Sequence, residues 1–252
     1  MTFRANLPIV GVGSTLAPKP FTWSYSNLVS WELCPKKHWH TRVKKQGEVG
    51  YVEDQKTPEL DRGDALHKAM YSAVVSGTKL PTQFMYMQPW LTTLTSVNDP
   101  LQIIQCELKY AITRDYKSTG YFDKNVWLRI VIDYLKLTPA SKQGTFLAHA
   151  VDYKTGKPKD DSFQLALYAA VIFSLYKDVV GVRCDYLWTE YNDTSHQIYT
   201  RADIPEVWDE FIPRVTAMET SFKDNKFPAT PNRLCREYCP VRTCEHNGKR
   251  PK

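Results

Sequence analysis

Two apolar runs close together limit what this chain can fold into more than any other feature. Leu128-Arg-Ile-Val-Ile-Asp133-Tyr-Leu-Lys-Leu137 and Thr145-Phe-Leu-Ala-His-Ala-Val-Asp152-Tyr-Lys154-Thr-Gly156 are both rich in β-formers, and each carries a carboxylate. Strands built from them, if adjacent, bring Asp133 and Asp152 together. Two ionised carboxylates a few ångströms apart repel, so a site that keeps both calls for a cation. Hard oxygen ligands suit Mg²⁺ or Mn²⁺. Lys154 lies two residues beyond Asp152 and shares its strand face. An amine there can orient a water, assist its deprotonation or neutralise a phosphate.

The rest of the chain supplies the layers around these strands. Its 252 residues suffice for one large domain with terminal appendages. The net charge of +6 permits a polyanionic partner without identifying one. No apolar run approaches the ~18 residues that span a bilayer, and Leu7 to Gly13 is too short and too broken by proline for a signal-peptide core. The expected location is therefore intracellular.

In chain order, residues 1–22 read as an extended arm. Residues 23–100 read as a helical region: a short helix capped by Ser24 or Ser26 and ending at Cys34-Pro35, then a basic run, then a helix from Thr57-Pro58 to about Gly77. Lys36, Lys37, His38, His40, Arg42, Lys44 and Lys45 interleave with Trp39, a pattern that can track phosphates and stack a base, or simply form a solvated face. Leu66, Met70, Ala73 and Val74 give the second helix a buried stripe, with His67 at its border. A third helix is expected over 81–95. Residues 101–225 read as the core: a strand over 101–113 containing Glu107, the two acidic strands, a helix from Asp161 to Lys177, a strand over 179–190 paired with 195–200, and a helix over 204–224. This order predicts a mixed α/β fold, a central mixed sheet flanked by helices. Residues 226–252 carry a cysteine group and a basic tail, expected to pack on the N-terminal helical region.

The acids and lysine resemble the active-site core of the PD-(D/E)XK nuclease superfamily, with Asp133 as first acid and Asp152-Tyr153-Lys154 as its D/E-x-K. Glu107-Leu-Lys109 and Asp115-Tyr-Lys117 fit the tripeptide too. Context separates them: only Asp152 has an acid on a preceding apolar strand and a helical pattern after it. Arg62-Gly63-Asp64-Ala-Leu-His67 is similar to the Gly-x3-His that RecB-like and CRISPR-adaptation-type exonucleases carry ahead of the acids. Gln164-Leu-Ala-Leu-Tyr168 matches their Q-x3-Y, and positions four apart share a helix face. The resemblance implies that His67, Asp133 and Asp152, with the Tyr153 carbonyl, hold Mg²⁺ or Mn²⁺. It implies also that Lys154, Gln164 and Tyr168 complete the catalytic group. Glu107 is either a further acid close behind the ligands or a residue of the polar strand face.

Of six cysteines, Cys106 and Cys184 sit in apolar strand-like segments and read as small core residues. Cys235, Cys239 and Cys244 fall within ten residues, too close for unrelated core thiols. Four thiolates fit a 4Fe-4S cluster or a structural zinc ion, and His38, His40 or His246 could replace one of them. The resemblance implies that Cys34 joins the three C-terminal cysteines around a 4Fe-4S cluster, although the spacings here depart from the family's more usual ones. The activity so implied is metal-dependent exonucleolytic hydrolysis of DNA, as single strands or ends, in recombination, repair or degradation of a bacterial or phage type. A CRISPR spacer-processing nuclease shares every motif. A non-catalytic nucleic-acid-binding or assembly subunit that retains the fold is the reading from a different class.

Overall fold

A computed structural model describes residues 21–53, 57–159 and 162–249. Most of the expected N-terminal arm, residues 1–20, lies outside the described residues, as do Asp161 and the last three residues of the tail. Phe21 packs edge-on against Phe222, and Thr22 donates to the Val126 carbonyl at 2.8 Å.

The helical part opens with α1 (Tyr25–Leu33), capped by Ser24, whose hydroxyl accepts from Asn27 N–H. The four-residue α2 (Pro35–His38) follows directly. Next comes α3 (Pro58–Ser76), bounded by Thr57 at its N-cap and Gly77 in the left-handed region (φ +64°) at its C-cap. The helix expected over 81–95 divides in two. Thr82–Met87 is a 3₁₀ turn, and α4 (Gln88–Thr95) restarts with Pro89 in its first turn, where proline's missing N–H costs nothing.

Six strands form one sheet in the order β2-β1-β3-β4-β5-β6. They are β1 (Ile103–Ile112), β2 (Ser118–Thr119), β3 (Leu128–Pro139), β4 (Phe146–Lys154), β5 (Val179–Trp188) and β6 (Asp193–Tyr199). Only β4 and β5 pair in parallel, joined by the crossover helix α5 (Phe163–Leu175); the remaining pairs are antiparallel. The last helix is α6 (Ile204–Lys223).

Two hydrophobic layers cover the sheet. On one face α5, α6, Trp23 and Leu28 pack over Leu135, Leu137, Ala148, Ala150, Val182 and Cys184. On the other, α3, α4 and the 3₁₀ turn pack over Tyr134, Val151, Tyr153 and Leu187. The strands β1 and β3 do not keep one face throughout. Leu108, Tyr110 and Ile112 belong to the α5 layer, whereas Ile104 and Cys106, also even-numbered, belong to the α3 layer. In β3, Ile130 and Ile132 join Leu135 and Leu137 on the α5 side. Regular alternation forbids both patterns. Both switches fall on the same rung, where Glu107 stands opposite Asp133 between the pairs Cys106↔Tyr134 and Leu108↔Ile132. Glu107 makes its switch with φ +52°, a backbone that glutamate seldom adopts.

The C-terminal segment closes on the start of the helical part. Lys36 N–H donates to the Pro228 carbonyl at 3.1 Å, Lys36 Nζ pairs with Glu245 at 2.5 Å, and Thr230 N–H donates to Cys34 Sγ at 3.5 Å. Gly248 N–H donates to the Cys235 carbonyl at 3.1 Å, and a Cβ on Gly248 would stand 2.6 Å from the Arg236 carbonyl oxygen, which requires glycine there. Among the described residues, no helix is long and apolar enough to cross a membrane.

Candidate active site

The antiparallel pairing of β3 and β4 places Tyr134 opposite Val151, so Asp133 and Asp152 occupy the next rung. Both are buried, at 8% and 4% exposure. Tyr153 N–H donates to Asp133 Oδ2 at 2.8 Å, a bond from β4 that fixes the acid of β3. From the α3 layer His67 reaches the same carboxylate, with Nδ1 3.2 Å from Asp133 Oδ1 and Nε2 3.0 Å from the Tyr153 carbonyl oxygen. Gly63, one turn earlier on α3, faces Thr155 just beyond β4. A methyl group there would touch the Thr155 hydroxyl at 3.4 Å, so the helix can lie close to the strand end.

Asp152 is held differently. Its Oδ1 accepts from the Tyr168 hydroxyl at 2.6 Å and from Gln164 Nε2 at 3.1 Å, and its Oδ2 lies 2.6 Å from Lys154 Nζ. Gln164 Oε1 in turn accepts from Lys154 Nζ at 3.1 Å, and the amine stands 5.1 Å from the Tyr186 ring centre. The four-residue spacing of Gln164 and Tyr168 thus aims both at one carboxylate from the inner face of α5.

Within this group, ligand atoms of His67, Glu107 and Asp133 all lie within 4.8 Å of one another. The sequence suggests Asp152 as a ligand and Glu107 as an acid behind the ligands. In the structure Glu107 stands in the trio, and the Asp152 carboxylate is turned to Lys154, Gln164 and Tyr168. A mixed nitrogen and oxygen donor set of this kind fits a divalent ion such as Mg²⁺ or Mn²⁺.

The electrostatics agree with a cation seat. Burial works to lower the His67 pKa, but the hydrogen bond and charge of Asp133, with the charge of Asp152, raise it to about 9. Protonated imidazole supplies positive charge between the acids. Burial, and then the nearby Asp133 charge, pushes the Glu107 carboxyl up. Burial also raises Asp152, with Lys154 opposing it.

Other sequence-derived candidates are placed as follows. Asp115 and Lys117 pair at 2.6 Å in an exposed turn between β1 and β2, apart from the buried acids. Cys184 is a core residue, whereas Cys106 is half-buried and borders an open cleft beside Glu107 and His67, with its thiol pushed up to about 11 by burial and the Glu107 charge. The basic run is only partly a free surface: His38 is buried, and Trp39 stacks on Phe227 with ring centres 4.3 Å apart, which occupies one of its faces. Among the described residues no three cysteine sulfurs lie within 4.8 Å of one another. Tetrahedral zinc, with bonds of ~2.3 Å, would draw its thiolates closer than that.

Sequence reasoning passed over Lys68 and Tyr71 of α3 and set Lys109 of β1 aside with its tripeptide, yet all three line that same cleft. The signal was present as a second stripe on α3, polar rather than apolar.

A family model described as the PD-(D/E)XK nuclease superfamily matches residues 82–244. Among solved structures, sixteen chains match. One is a crystal structure of an exonuclease candidate from Eubacterium rectale, 12% identical, with a TM-score of 0.46 over 94% of this chain and 93% of that chain. No curated protein matches.

Proposed function

The chain belongs to the PD-(D/E)XK nuclease superfamily, and from that premise we propose that it is a divalent-metal-dependent DNA exonuclease whose centre lies between β1, β3, β4, α3 and α5. The observation that carries this reading is the meeting of His67, Glu107 and Asp133 beside an Asp152–Lys154 ion pair. His67, Glu107, Asp133 and, with a turn of its carboxylate, Asp152 would hold Mg²⁺ or Mn²⁺, with the Tyr153 carbonyl adjacent. When bound, the ion supplies Lewis-acid stabilisation of the phosphoryl oxygens and lowers the pKa of a water.

The chain's own groups do the remaining work. Lys154 donates toward the nucleophilic water or the scissile phosphate and neutralises developing charge. Gln164 and Tyr168 hold Oδ1 of Asp152, and Tyr153 N–H holds Oδ2 of Asp133. To serve as a ligand, His67 would have to give up the proton it holds beside Asp133.

As part of the same reading, Cys34, Cys235, Cys239 and Cys244 hold a 4Fe-4S cluster that joins the chain ends. Its support is the contact of Pro228, Thr230 and Glu245 with Cys34 and Lys36. Iron analysis and the visible absorption of purified protein, compared with a Cys239→Ser variant, test this part; a protein holding zinc instead would correct it. The activity is tested by degradation of end-labelled DNA with Mg²⁺ or Mn²⁺, comparing the unmodified protein with Asp152→Ala. Equal cleavage by both would overturn the assignment.

A further inference from the structure

Helix α3 has two working faces. Leu66, Met70 and Ala73 enter the core, while Asp64, His67, Lys68 and Tyr71 follow the i, i+3, i+4, i+7 spacing of a separate stripe. That stripe faces Glu107 and Lys109 of β1 across an open cleft of about 770 Å³. His67, within the stripe, is a member of the metal-binding trio, so the cleft adjoins the candidate centre.

The lining has the composition of a strand-binding groove. Tyr71 is 41% exposed, and among the described residues its hydroxyl and ring have no partner. Lys68 and Lys109 form no salt bridge among the described residues, so their charges stay available to an anion. Only Asp64 opposes them once Glu107 faces a cation. From Asp64 to Tyr71 the helix advances about 10 Å, close to three stacked nucleotides at ~3.4 Å each. A volume of 770 Å³ falls within the ~300–1,000 Å³ of enclosed ligand sites. It has room for a few nucleotides of one strand and is too small to enclose a duplex of the same length.

We propose that the cleft between α3 and β1 is a single-strand subsite in which Tyr71 stacks a base and Lys68 and Lys109 hold the flanking phosphates. This rests on the nuclease reading for its substrate class and adds to it the form of the substrate at the centre and the residues that select it. Aromatic stacking beside basic groups is sequence-tolerant, because every base presents a π-face. The subsite therefore accepts any sequence and discriminates by strandedness.

The test is fluorescence anisotropy on full-length Asp152→Ala protein with labelled twelve-nucleotide DNA and RNA single strands and a blunt DNA duplex, over a salt series. Adding Tyr71→Ala should weaken single-strand binding about 5- to 150-fold, the range for a lost base stack, while Tyr71→Phe restores it. Adding Lys68→Ala or Lys109→Ala should each reduce the slope of log affinity against log salt by about 0.7. Thermal unfolding of each variant confirms the fold, and an exposed tyrosine can be removed without loss of the core. Duplex bound as tightly as single strand, or single-strand affinity unmoved by Tyr71→Ala, would overturn the subsite. Failure of the nuclease reading looks different: the unmodified protein would bind single strands through Tyr71 and cleave none of them with Mn²⁺.

Discussion

Asp133 and Asp152 lie on neighbouring strands and are buried alike, yet their surroundings are opposite. Asp152 is met on each oxygen by fixed donors from α5 and its own strand: Tyr168, Gln164 and Lys154. Asp133 is fixed on one oxygen by Tyr153 N–H, and its other oxygen faces His67, with the Glu107 carboxylate close to both. One acid is saturated by the protein. The other stands beside a second carboxylate, with a titratable imidazole in contact with it. The difference divides the labour: a rigid half sets the position of the lysine, and an exchangeable half takes up and releases an ion.

The largest expected effect falls on the acid of the exchangeable half. Asp133→Ala should lower single-turnover cleavage about 10³-fold, at the upper end for loss of one charge-stabilising group, and should remove Mn²⁺ binding by calorimetry. A variant that keeps Mn²⁺ affinity within threefold would show that the trio is not the ion's seat. Glu107 sharpens the contrast. Glu107→Gln should weaken Mn²⁺ binding by about 10- to 100-fold. Glu107→Gly should do the same while stabilising the metal-free protein by on the order of 1 kcal/mol in urea, because glycine relieves the left-handed backbone.

A pH series separates the halves without mutation. His67, raised to about 9, must lose a proton to admit a cation, so Mn²⁺ affinity should climb about tenfold per pH unit across most of the interval from 6.5 to 9 and then level off. In the metal-free protein the same group contributes stability that is complete below pH 6.5 and disappears as pH rises through about 9. Flat Mn²⁺ affinity over that interval would mean the imidazole is not displaced. The smallest change is expected from the saturated half. Tyr168→Phe should slow cleavage about tenfold and leave Mn²⁺ affinity as it was.

The parts of the molecule written in local chemistry could be read directly. Thr57-Pro58 and Gly77 set the ends of α3 because capping depends on neighbouring residues alone, and the Gln164–Tyr168 pair followed from helical periodicity. The strands of Asp133 and Asp152 announced themselves by their β-forming residues. The interruption at Met87 was less legible: Pro89 suits the first turn of a helix, but aromatic and Met residues before it can continue a helix equally well. The position of Glu107 was not legible at all. Nothing in Gln105-Cys-Glu-Leu-Lys109 favours a left-handed residue, and the conformation is imposed by packing against β3. The Lys68–Tyr71 stripe was written in the sequence but became meaningful only when β1 was seen across the cleft.

The shared rung at which β1 and β3 exchange faces also indexes the centre to the hairpin. A single-residue insertion or deletion on either side of it would turn Glu107 or Asp133 toward the wrong layer while leaving much of the strand pairing possible. Length changes between β1 and β3 should therefore fall in their connection and not within the strands, and any transplant of the site into another scaffold has to move the two strands as one piece.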